Sequence, residues 1–126
     1  MTTLTEGTHS GEFIVSEANV GGTGVSRSRD GITILSGEVL VAGAVLGIVT
    51  ASGKFAEYDN AAADGLETAA GILLDAVDAT AGDTAAVALV RDFEFHAGEV
   101  TWKSGASQGD IDAGTADLKA VGAIAR

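Results

Sequence analysis

Short apolar runs and Gly- or Asp-rich punctuation alternate along most of this chain. The runs are ITIL from Ile32, AVLGIVT from Ala44, KFAEY from Lys54, AAGILLDAV from Ala69, TAAVALVRDFEF from Thr84 and EVTW from Glu99. Between them stand turn signals such as Asp30-Gly31, Ser36-Gly37, Ser52-Gly53, Asp64-Gly65 and Gly82-Asp83. Short strands at close spacing, separated by such turns, predict a mostly β domain. In RDFEF, charged and aromatic residues alternate with period two, which places Phe93 and Phe95 on one face. One helix is predicted, within residues 107–122, with Ile111, Leu118 and Val121 as an apolar stripe. Gly114 weakens that helix by about 1 kcal/mol. The closing AIAR reads as a last strand.

Upstream the pattern changes. Residues 1–10 are polar and rich in Thr and Gly, residues 12–17 (EFIVSE) suit a short strand, and residues 18–26 (ANVGGTGVS) have the composition of a flexible linker. The sequence therefore predicts an N-terminal arm and linker over 1–26 and one β-rich domain over 27–126. Glu12, Phe13, Ile14 and Val15 form an isolated strand-like segment in that arm. Its expected partner is another molecule.

Composition limits the core. Ala and Gly make up roughly a third of the 126 residues, well above average usage. The aromatics number six: Phe13, Phe55, Tyr58, Phe93, Phe95 and Trp102. Small side chains bury little area, so a thin core that gains from self-association or docking is expected. A net charge of −11 argues against nucleic acid and against an anionic membrane surface as partners. The most apolar window, VLVAGAVLGIV from Val39 to Val49, is shorter than the stretch of about 20 residues that spans a bilayer. No basic stretch followed by an apolar one opens the sequence, so no secretion signal is expected.

Searching for chemistry returns little. With no Cys there is neither a thiolate ligand nor a thiol nucleophile, and the two His match no metal spacing. The segment DNAAADG from Asp59 places Ala where a calcium loop needs oxygen ligands. There is no nucleophile elbow and no phosphate loop. A catalytic site, a cofactor and a metal are therefore not expected. Lys54 in ASGKF is better read as a hairpin lysine than as a lipoyl-type carrier, whose flanking residues are absent. Arg27 and Arg29, two apart in a chain with seven basic residues, leave two readings open. They are solvated, or paired locally with Asp30 or Glu17 for less than about 1 kcal/mol; or they anchor the arm to an acidic patch on a partner. Trp102, the lone Trp, is a candidate core or interface anchor.

The order of elements in SGKFAEYDNAAADGLETAAGILLDAVDA, then VALVRDFEF, EVTW, a late helix and a short apolar strand, resembles the lambda-type phage head decoration proteins. The upstream GEFIVSEANVGGTGVSRSRDGITILSG resembles the long-armed branch of that family, so the likeness covers about residues 11–126. The chain departs from the family pattern at Lys103, where Pro often follows the Trp. The resemblance implies a bent β-ribbon domain of β-clip type, a partner in the major capsid protein, and homotrimers at three-fold and quasi-three-fold positions. It places the protein on the outer surface of the phage head, bracing the expanded shell against packaged DNA. It also implies an N-terminal arm that adds a strand to capsid-protein loops, a role carried here onto Glu12, Phe13, Ile14 and Val15, with Arg27 and Arg29 as possible anchors. Two other readings are a β-rich module binding glycans or a host surface, and an enzyme related to trimeric dUTPases. Scattered aromatics count against the first, and a missing Asp- and Tyr-bearing motif and Gly-rich flap count against the second.

Overall fold

A computed structural model describes residues 7, 9–18 and 27–126; the predicted linker after Ala18 lies outside the described residues. Among the described residues, ten strands and one α-helix follow in the order β1 (Ile14–Glu17), β2 (Arg29–Ile34), β3 (Val39–Leu40), β4 (Val45–Ile48), β5 (Phe55–Glu57), β6 (Ala69–Leu73), β7 (Val77–Asp78), β8 (Thr84–Leu89), β9 (Phe93–Phe95), α1 (Gln108–Ala120) and β10 (Ala123–Ala125). The mostly β class with one late helix is thus the observed one.

Strands β2, β5, β4, β6 and β8 close into a barrel. Its longest seam pairs β2 with β8 antiparallel, from Arg29 opposite Leu89 to Ile34 opposite Thr84. Closure runs through Ile34, which lies beside Phe55 in parallel register. Inside sit Ile32, Ile34, Leu40, Leu46, Phe55 and Leu73, filled in by Ala44, Ala79 and Ala88. A second sheet has the order β1-β9-β10, and β3 with β7 forms a separate two-stranded ribbon.

The second core lies between barrel, sheet and helix. It contains Phe13, Val45, Tyr58, Ile72, Leu89, Phe93, Phe95 and Leu118. Phe93 and Phe95 do share a face, with ring centroids 5.9 Å apart. The alternating segment from Thr84 divides into β8 and β9, so its two halves serve different sheets. Glu99 to Trp102 forms no strand: a single 3-10 turn covers Ala97–Glu99, and Thr101 makes one isolated bridge to Ala44.

Helix α1 begins at a reciprocal cap. The Ser107 hydroxyl accepts from the Asp110 N–H at 3.1 Å, and the Asp110 carboxylate accepts from the Ser107 N–H at 3.0 Å. The expected stripe is only partly right. Leu118 is buried, Ile111 is half-buried, and Val121 is 40% exposed beyond the helix end. The second fully buried helix position is Gly114, because Trp102 and Tyr58 pack directly on it.

Candidate binding surface

The predicted arm segment lies on the sheet of its own domain. Gly11, at φ +68°, makes a left-handed turn that brings its N–H to the Leu74 carbonyl at 3.3 Å. Across that turn, the Glu12 carboxylate accepts from the His9 N–H at 2.8 Å. Phe13 then turns inward and is 1% exposed, and its carbonyl accepts from the His96 N–H at 2.8 Å.

β1 pairs antiparallel with β9, Ile14 opposite Phe95 and Glu17 opposite Phe93. The register shifts between Ile14 and Ser16, which leaves Val15 as an extra residue, 44% exposed. The expectation of an unpaired strand waiting for another molecule is corrected on this point. Phe13, Phe93 and Phe95 belong to one core, and burying them together pairs the backbone as well.

Both predicted anchors take local partners. Arg29 forms a two-pronged pair with Glu17, Nε to Oε2 at 3.0 Å and Nη2 to Oε1 at 2.7 Å. That hydrogen bond is the largest cause raising the Arg29 pKa above its ordinary value. Arg27 lies 3.4 Å from Asp92 Oδ2 and is largely exposed. Its N–H donates to the Ala18 carbonyl at 3.0 Å. Beneath them the buried Ser28 hydroxyl accepts from the Ala18 N–H at 3.0 Å and donates to the Asp92 carbonyl at 2.8 Å.

On the outward face of the same sheet, Glu94 accepts from Ser16 Oγ at 2.8 Å and from Arg126 Nε. The Arg126 bond, then the Ser16 bond, hold its carboxyl below the usual range. An open groove of about 450 Å³ crosses this face, lined by Ser16, Arg27, Asp92, Glu94, Ile124 and Arg126 among others. The remaining candidate, Trp102, is half-buried with its ring edge-to-face on Tyr58, centroids 5.7 Å apart at 73°. Lys103, the departure from the family pattern, holds Asp59 Oδ2 at 2.6 Å.

Two apolar features of the surface escape the sequence reading because exposure, not local pattern, defines them. Val39 and Val41 stand 66% and 44% exposed beside the buried Leu40. Elsewhere an open groove of about 510 Å³ is walled by Ile48, Phe55, Ala70, Val90 and Val121. Across its lining lies the Arg91–Asp30 pair, Nη2 to Oδ2 at 2.6 Å. Among the described residues no three acidic or His side chains converge as a metal site, and no helix is long and apolar enough to cross a membrane.

No curated protein matches this chain. A family model does: that of the bacteriophage lambda head decoration protein D matches residues 3–123. The match runs from ahead of the Gly11 turn through barrel, helix and the start of β10, so it covers both the domain and the segment docked on it. The chain belongs to the bacteriophage lambda head decoration protein D family.

Proposed function

We propose that this protein is a structural, non-enzymatic cement of the phage head. It seats as trimers at the three-fold and quasi-three-fold positions on the outer surface of the expanded capsid and holds the major capsid protein lattice against the pressure of packaged DNA. The family match over residues 3–123 carries the reading. The physics of the chain agrees with it. A chain with net charge −11 repels packaged DNA, and a site repeated across a lattice converts weak contacts into high occupancy.

The N-terminal segment meets the capsid in this reading. β1 is an edge strand of its sheet, so a capsid-protein loop in extended form extends the order β1-β9-β10 by one strand. Glu12, Ile14 and Val15 belong to the segment that meets that strand, Val15 being 44% exposed, while the buried Phe13 fixes the segment to the domain. Arg27 and Arg29 hold the base of the segment through Asp92 and Glu17.

The test compares DNA-filled heads that lack this protein with the same heads after the protein is added back. Heating releases DNA from bare heads at a lower temperature than from decorated ones. Equal release temperatures at full occupancy contradict a bracing role.

A further inference from the structure

β1 is held at both ends, and those ends are one residue out of step with the strand beside it. At the first end Phe13 is buried in the second core, and its carbonyl accepts from the His96 N–H at 2.8 Å. At the other end the Ala18 N–H reaches the Asp92 carbonyl at 3.1 Å. From Phe13 to Ala18 the chain takes one step more than from Asp92 to His96. Both ends are met only if one residue is left over between them, and that residue is Val15. The bulge is imposed by the end points, not by any preference of Val15.

Ser28 fixes the second end. Its side chain is 0% exposed, where a hydroxyl without partners would be costly. It has partners on both sides, accepting from the Ala18 N–H at 3.0 Å and donating to the Asp92 carbonyl at 2.8 Å. The Ser28 carbonyl accepts from the Val90 N–H at 2.8 Å, which ties the residue to the end of the barrel seam. Asp92 is held as firmly. It stands in the left-handed region at φ +52°, and its N–H donates to the Val121 carbonyl at 3.3 Å, where α1 turns into β10. Such a backbone persists only where its surroundings determine it. Barrel, helix end and β1 therefore converge on the Asp92 peptide, and the Ser28 hydroxyl joins them.

We propose that Ser28 is the positioning residue that sets the register of β1. The competing register is the regular one, with Val15 opposite Glu94 and Ser16 opposite Phe93. It needs no bulge, and it exchanges the faces of Ser16 and Glu17. The Arg29–Glu17 pair also belongs to the observed register, but it is partly exposed and contributes little. The Ser28 bonds lie in the interior, where a hydrogen bond is stronger. The register decides which side chains β1 turns to the capsid, a consequence that rests on the decoration reading.

The test uses the free full-length protein with Ser28→Ala, with Val15 deleted, and with both changes. Register is read from the nuclear Overhauser contact between Glu17 and Phe93, and the hold on Ala18 from its amide exchange. Ser28→Ala speeds Ala18 exchange more than about tenfold relative to the β2–β8 seam and replaces the Glu17–Phe93 contact with one between Ser16 and Phe93. Deleting Val15 keeps Glu17 opposite Phe93, because the two ends then match. The double variant keeps it as well, since no residue is left over to slip; a general loss of stability would show no such rescue. Ser28→Ala with the parent contact and slow Ala18 exchange overturns the proposal, as does a Val15 deletion that loses the contact. If Ser28→Ala alone does not fold, the double variant decides by the same contact. Binding to expanded shells is measured separately, and the slipped Ser28→Ala protein binds more than about tenfold more weakly. Parent affinity in that slipped variant overturns the link to the capsid-facing edge. Register control as proposed, in a protein that ignores expanded shells, supports the role of Ser28 and contradicts the decoration reading.

Discussion

Trp102 lies across Gly114. A β-carbon at position 114 would stand 2.5 Å from Trp102 Cζ3 and 3.0 Å from Tyr58 Cε1. The glycine that weakens α1 as an isolated helix is what lets the helix approach the aromatic pair. The two effects of Gly114→Ala oppose each other. Helix propensity gains about 1 kcal/mol, and overpacking costs typically about 1–3 kcal/mol. Urea denaturation is expected to show a net loss of stability, because both rings are packed and the near atoms belong to rigid groups. A gain would mean that Trp102 moves aside freely.

Phe13 is expected to behave as a core residue. Phe13→Ala should cost about 3–5 kcal/mol, the usual range for emptying a buried aromatic site. Deleting residues 1–10 should leave the unfolding midpoint nearly unchanged, because the bonds from Gly11 onward are kept. A Phe13→Ala protein as stable as the parent would contradict the docked position of the segment.

The Arg29–Glu17 pair is partly exposed, 39% and 20% at its side chains. A double-mutant cycle should give a coupling under about 1 kcal/mol in spite of the two-pronged geometry. It should shrink as salt is added. A coupling several times larger that ignores salt would mark the pair as a structural clamp.

Acid titration should separate two carboxylates of opposite sign. Burial, then the nearby Glu38 charge, raises the Glu57 pKa in the folded state. Its charge therefore works against folding at neutral pH, and the penalty vanishes below the unfolded-state value of about 4.3, where both states are protonated. Glu57→Gln should raise the melting temperature at neutral pH and leave it unchanged in acid. Glu94 is lowered by Arg126 and Ser16, so its contribution is present above the unfolded-state value and is lost as pH falls through the folded one. Glu94→Gln should lower the melting temperature at neutral pH and not in strong acid. Melting curves of both variants across pH decide the signs.

Local pattern made most strands legible. ITIL, KFAEY, AAGIL and FEF each became a strand, and the period-two reading of Phe93 and Phe95 holds because one face of β9 is buried. What escaped was the partner of each strand. Nothing local says that Ile34 lies beside Phe55, or that Ile14 lies opposite Phe95, since such pairing depends on contacts far apart in sequence. Phe13 was visible as an apolar residue in a polar stretch. Its destination was not, because the core it enters is assembled from β9, α1 and the barrel wall. Helix α1 was legible at its ends, through Ser107 and Gly122, but its inner face was misread: Gly114 is buried and Val121 is not.

The most direct measurement is co-sedimentation of the full-length protein with expanded shells of its major capsid protein, alongside unexpanded shells as control. Saturable binding to expanded shells at three copies per three-fold or quasi-three-fold site is the predicted result. No binding to shells confirmed as expanded would contradict the account.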